Sequence, residues 1–252
     1  MIAKSETEIA HLREAGKRMK QVAVAVLAKV LPGVPSMELE RIAREATKAA
    51  EATPSYLGYS EKGTPPYPAA LCVSINNEIA HCPPKSEKVL KAGDVVAIDF
   101  GLEYKTLFMD TAYTVGVGVV DKKAQNLIDG TREALEAAIG AVRLGGTTGD
   151  IGAAVQKVAK QYGLGVVKDL RGHGVGAAVH EDPLVPNFGK AGEGELLVEG
   201  MVLALEPIFA EGSGAMVDDT DRVGYVTRDG SRAAHFEHTI LITKDGAEIL
   251  TA

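Results

Sequence analysis

The chain has 252 residues, 46% hydrophobic and 24% charged. That is enough for one large domain or two small ones, and the balance excludes global disorder. The formal net charge of -7 excludes a strong general pull toward nucleic acid or anionic membranes. Its two cysteines, Cys72 and Cys82, exclude a disulfide scaffold or a Cys-rich structural zinc site. The N-terminus becomes polar and charged within a few residues and lacks the apolar run of a signal peptide. No window approaches about 18 uninterrupted apolar residues. A cytoplasmic location with no membrane partner is the expectation.

Ser5 and Glu8 form a capping-box pattern. Apolar residues then recur at Ile9, Leu12, Met19, Val22, Val26, Leu27 and Val30, a helical stripe that Pro32-Gly33-Val34-Pro35 stops. Ser36 is placed to cap a second helix through about residue 52. A Pro/Gly/Tyr-rich loop follows over 53–68. Leu71, Val73 and Ile75 alternate as a strand, and Asn76-Asn77 reads as a turn. Residues 95–104 and 108–117 read as two strands joined by Lys105-Thr106. The order then repeats. Residues 124–142 are helical, and Thr147 with Asp150 starts another helix to about Tyr162. Residues 201–210 and 235–243 are the last strong strands. Each half, 5–117 and 120–243, thus reads helix, helix, strands. No low-complexity linker divides them, so 1–252 reads as a single α/β (α+β) catalytic domain.

Three acids stand where the pattern wants apolar side chains: Asp99 in Val-Val-Ala-Ile-Asp-Phe, Glu206 in Leu-Ala-Leu-Glu-Pro-Ile, and Glu237 in His-Phe-Glu-His-Thr-Ile. Burying a lone carboxylate costs several kcal/mol or forces it neutral, so something should compensate. Asp110 is a near neighbour of Asp99 across the expected hairpin. Gly172-His173-Gly174-Val175-Gly176 sets a histidine in what reads as a flexible glycine loop. It lacks the full pattern of a nucleotide loop. Clustered carboxylates repel, and two divalent cations would supply the matching charge. Oxygen donors with one nitrogen suit Mn, Fe(II), Co or Zn. Cys72 and Cys82 read as packed thiols rather than nucleophiles.

Taken in order, Ser74-Ile75-Asn76-Asn77-Glu78-Ile79-Ala80-His81, Gly93-Asp94-Val95-Val96-Ala97-Ile98-Asp99, Met109-Asp110-Thr111, the glycine segment around His173, His180-Glu181-Asp182-Pro183, Leu205-Glu206-Pro207 and Phe236-Glu237-His238-Thr239 resemble the type I methionine aminopeptidases. The likeness covers nearly the whole chain. It implies the pita-bread fold, two pseudo-symmetric halves around a central curved antiparallel sheet. It implies two divalent metal ions, with Asp99 on one, His173 and Glu206 on the other, and Asp110 and Glu237 bridging. His81 and His180 would contact substrate and the tetrahedral intermediate, with Tyr67 and Cys72 also placed against the substrate. Glu206 would carry the proton. The implied substrates are the N-terminal peptides of newly made proteins, with the ribosome a candidate partner, no nucleic acid specificity, and a monomer expected. Only 25 residues separate His180 from Glu206, leaving no room for the helical insertion of type II enzymes.

The chain departs from that pattern. Cys82 follows His81 where a glycine is usual, Val179 precedes His180 in place of an aromatic, and Val223 stands where a tryptophan commonly lines the methionine pocket. A widened pocket and broader side-chain acceptance are therefore expected. Two other classes stay open: a peptide-binding protein on the same scaffold, which should have lost ligands, and a two-metal phosphoesterase, which should carry a basic phosphate clamp.

Overall fold

The structure is a computed structural model and describes residues 1–60, 65–221 and 223–252. Part of the loop expected over 53–68 lies outside the described residues. Helix α1 (Glu6–Leu27) starts on the expected capping box and buries Leu12, Met19, Val22 and Val26 on one stripe. Helix α2 (Ser36–Ala49) differs from expectation at its start. Pro35 is the N-cap and Ser36 is already helical. The Ser36 hydroxyl is instead engaged with the backbone of Lys85, donating to its carbonyl at 2.9 Å and accepting from its N–H at 3.0 Å. The buried Glu40 of α2 pairs with Arg44 at 2.5 Å and accepts the Ala70 N–H at 2.9 Å. This bond pins the start of the strand that carries Cys72.

The first-half strands are β1 (Thr53–Pro54), β2 (Leu71–Ile75), β3 (Glu78–Ala80), β4 (Val95–Tyr104) and β5 (Leu107–Gly116). Strands β4 and β5 form the expected hairpin. Both loop residues, Lys105 and Thr106, have positive φ (51° and 64°), the hand a two-residue hairpin turn requires. The second half supplies α3 (Lys122–Gly140), capped by Asp121, and α4 (Thr148–Tyr162), started by the Thr147–Asp150 capping box. Its strands are β6 (Gly165–Val166), β7 (Gly172–Gly174), β8 (Glu181–Val185), β9 (Val202–Leu205), β10 (Ile208–Ala210), β11 (Met216–Asp218), β12 (Tyr225–Thr227), β13 (Ala233–His235), β14 (Glu237–Thr243) and β15 (Gly246–Ile249).

The main sheet runs β1-β4-β5-β14-β9-β7-β8, with β2 on β4 and β15 on β14, all antiparallel. Two small three-stranded sheets, β13-β10-β6 and β11-β12-β3, accompany it. Each helix pair covers its own apolar core, one around Leu12, Met19, Phe100 and Met109, the other around Leu127, Val155, Leu205 and Ile240. This is the two-halved arrangement expected from the repeated order of elements.

Two long strands expected from apolar content are each broken. The 201–210 run splits at Glu206-Pro207, because proline has no N–H to continue the ladder. The 235–243 run splits at Phe236. Both breaks lie at one level: His238 pairs with Leu205 on one side of it and His235 with Ile208 on the other. There the two segments pass between the main sheet and the small β13-β10-β6 sheet, with Glu206 at the break, Glu237 on the main-sheet side and His235 on the small-sheet side.

The glycine segment around His173 is also not a flexible loop. It is the buried strand β7, paired on both sides. A Cβ on Gly172 would lie 2.4 Å from the Ala204 carbonyl oxygen, and one on Gly174 2.3 Å from that of Asp182. The glycines therefore permit close strand approach rather than motion. Gly174→Ala is expected to cost about 1–3 kcal/mol of stability, as overpacking does. A urea unfolding midpoint unchanged from wild type would contradict this reading.

Candidate metal centre and substrate cleft

Asp99 of β4 lies opposite Ala112, and Asp110 of β5 opposite Gly101, so the two acids form a diagonal pair on one face of the hairpin. The Tyr56 hydroxyl lies between them, bonded to Asp99 Oδ1 at 2.7 Å and to Asp110 Oδ1. Burial raises Asp99 to about 6. Burial, then the charge of Asp99, pushes Asp110 well above the usual carboxylate range. One phenolic proton cannot satisfy two carboxylates, so a proton held by an acid completes the trio.

His173 sits at the centre of β7. Its Nδ1 lies 2.9 Å from the Gly174 carbonyl, which accepts the Nδ1–H and turns the Nε2 lone pair into the site. That nitrogen is 3.5 Å from Glu206 Oε1 and 4.0 Å from Asp110 Oδ2. Burial, then the neighbouring His180, lowers His173 to about 3, so it is a neutral imidazole. Donor atoms of Asp110, His173 and Glu237 all lie within 4.8 Å of one another. Glu206 is raised to about 8 by burial and then by Asp99. Glu237 is pushed well up by burial and then by Asp110, and its Oε1 is buried with no hydrogen-bond partner. Asn187 fixes the backbone at Glu206 by donating to its carbonyl at 2.9 Å.

These acids form the floor of a cavity of about 340 Å³. The nine candidate metal, catalytic and substrate residues line it: Tyr67, Cys72, His81, Asp99, Asp110, His173, His180, Glu206 and Glu237. His81 stands at the end of β3 in a left-handed conformation (φ 57°), its ring against Tyr225 at 5.5 Å. Such a backbone persists only where its surroundings hold it. The His180 ring packs edge-on against His173 at 4.5 Å, and its Nδ1 is 2.9 Å from the Tyr59 hydroxyl. Cys72 lies directly opposite Asp99 on the adjacent strand, and burial raises its thiol well above its usual value, as befits a packing group.

Tyr56, Tyr59 and His235 are among the lining residues that the sequence did not mark as site residues. Val179 is buried and is not among the residues lining the cavity, whereas Val223 lines it and packs with Tyr56, Tyr67 and Cys72.

Among the described residues no lysine or arginine lines this cavity. Four acids, an orphaned carboxylate oxygen and an imidazole with a free lone pair fit divalent ions, which would replace the protons that otherwise keep the acids neutral. A curled sheet with such a floor beneath a cleft defines a metal-dependent hydrolase. The model for metallopeptidase family M24 matches residues 10–244. Methionine aminopeptidase from Aquifex aeolicus is 44% identical, over 98% of this chain and 97% of that protein. The one from Clostridium perfringens is 41% identical, over 100% and 98%. The crystal structure of methionine aminopeptidase from Thermotoga maritima superposes with a TM-score of 0.95 at 42% identity, covering 100% of this chain and 99% of that one. The chain belongs to the M24 metallopeptidases, and among them to the type I methionine aminopeptidases of pita-bread fold.

Proposed function

We propose that this enzyme removes the initiator methionine from newly made proteins and peptides, with residues 1–252 acting as one catalytic domain. The observation that carries the reading is the uncompensated acid cluster on the floor of a tyrosine-walled cleft. Asp99, Asp110, His173, Glu206 and Glu237 would hold two divalent ions of the Mn, Fe(II), Co or Zn group. When bound, such ions neutralise the acids, polarise the scissile carbonyl and supply a water acidic enough to react at neutral pH.

The chain's own groups do the rest. Tyr59, Tyr67 and Cys72 hold the methionine side chain, whose thioether makes favourable contacts with aromatic rings. His81 and His180 face the cleft where a carbonyl oxygen would gain negative charge, and hydrogen bonds there favour the transition state. Water adds to the carbonyl carbon, the C–N bond breaks, and Glu206 delivers the proton to the leaving amine. The products are free methionine and a shortened chain. The absence of a basic clamp among the described lining residues disfavours a phosphoesterase, and the full ligand set disfavours a non-catalytic binder. Among the described residues no helix is long and apolar enough to cross a membrane. We place the enzyme in the cytoplasm as a monomer meeting nascent chains near the ribosome.

The test is kcat/KM for peptides differing only in the first residue. Methionine is expected to be preferred over leucine and phenylalanine. Tyr67→Ala should lower that preference roughly tenfold, the lower end of what one missing apolar contact gives. Equal rates for all first residues in the wild type would refute a methionine-shaped cleft.

A further inference from the structure

His235 ends strand β13, and Phe236 alone separates it from Glu237. Its backbone is latched in both directions: its N–H donates to Thr114 Oγ1 at 2.8 Å, and its carbonyl accepts from the same hydroxyl at 2.7 Å. The side chain is almost wholly enclosed, with 3% of the residue exposed, yet among the described residues its Nε2 has no hydrogen-bond partner. A buried polar atom left unpaired costs about 1–3 kcal/mol, so an orphan held this rigidly asks for a ligand.

The nitrogen is aimed at the acids. It lies 3.6 Å from Glu237 Oε2 and 4.0 Å from Glu206 Oε2. His173 stands in the matching position, 3.5 Å from the other oxygen of the same Glu206 carboxylate. The two imidazoles therefore flank Glu206, one to each oxygen. Donors sharing one ion at bond lengths of ~2.1 Å lie roughly 3–4 Å apart, the spacing seen on both sides.

We propose that His235 is a further metal donor, giving the centre a second nitrogen on the Glu206–Glu237 side. The inference rests on the metal-centre reading above and deepens it. Two imidazoles shift the donor set from one tolerant of Mn(II) toward one favouring Fe(II), Co(II) or Zn(II), because imidazole suits those ions and carboxylates suit manganese. His235 and Glu237, two apart in the chain, then reach the centre from either side of the strand break at Phe236.

Proton NMR of the cobalt-loaded enzyme tests this without reference to activity. Each coordinated imidazole gives one solvent-exchangeable, strongly shifted ring N–H resonance. Two are expected, one of which is lost in His235→Gln while the other remains. Titration calorimetry of His235→Gln should show cobalt affinity reduced about tenfold or more, with manganese affinity reduced less. A single resonance in the wild type, retained in His235→Gln, would overturn the proposal while leaving the metal centre standing. No cobalt uptake at all would overturn both. The wild-type spectrum decides even if a variant fails to fold.

Discussion

Stripping divalent ions with a strong chelator is expected to abolish peptidase activity, and added Mn, Co or Fe(II) to restore it. The argument is electrostatic. Four buried acids share the site without a lysine or arginine among the described lining residues. Without ions burial raises Glu206 to about 8 and Asp99 to about 6, so these acids keep their protons to higher pH than usual. In the unfolded chain these groups titrate near 4.5 and 3.8. The folded, metal-free protein therefore binds more protons than the unfolded one across that interval, and its stability falls as pH rises. The contribution is complete below about 4 and lost as pH passes through about 8. Melting temperatures of the chelated protein should decline over this range, while the metal-loaded protein should stay flatter because ions replace the protons. Metal uptake at pH 7 should release protons, read as a binding enthalpy that varies with the buffer's ionisation heat. Full activity in a verified metal-free sample would remove metals from the mechanism.

Much of this centre was legible because its residues break the pattern of their own strands. Asp99, Glu206 and Glu237 interrupt apolar runs, and a carboxylate there needs a reason. The β4–β5 hairpin was legible for the same reason in reverse, since alternating residues around Lys105-Thr106 leave little freedom of register. The strand breaks were not. The polar residues at Glu206 and around Phe236 interrupt the runs without marking a change of sheet. The chain's change of sheet depends on partners far away in sequence, with Ile208 pairing His235. Periodicity carries no information about which sheet a residue joins.

The glycine segment shows a different failure. Gly172 and Gly174 resemble a loop in composition, and the close backbone approach that demands them exists only once β8 and β9 flank β7. Tyr56 and Tyr59 lay in a loop with no spacing to mark them. His235 carried a usable signal, two residues before Glu237, but a histidine at the start of an apolar strand resembles an ordinary core residue. A pocket widened at Val179 and Val223 was expected by position, and Val223 does line the cavity, beside Tyr56, Tyr59, Tyr67 and Tyr225. Cavity walls are set by volume and packing, and different residues can fill one space.

Glu206→Gln is expected to lower kcat by about 10²–10⁴-fold, the range for removing a general acid–base group. The glutamine keeps the length and one carbonyl oxygen, so packing at the strand break and the Asn187 bond to the Glu206 backbone should survive. What it loses is the ability to take and return a proton. Burial holds the Glu206 carboxyl near 8 in the absence of ions. Bound cations would bring it down toward neutrality, where a group exchanges protons most efficiently. The loss should therefore fall on kcat more than on KM. His180→Ala is the comparator. It removes a hydrogen-bonding group at the cleft without touching the acids, so it should retain metal while kcat drops by about 10²–10³-fold. His173→Ala should instead lose metal. Measuring ion content beside kcat separates these cases. A fully metal-loaded Glu206→Gln enzyme with kcat within a few-fold of wild type would show that another group carries the proton. If Glu206→Gln instead lost an ion, the pH–rate profile at saturating metal would decide. A basic limb that disappears assigns the proton to Glu206, and one that persists leaves it with metal binding alone.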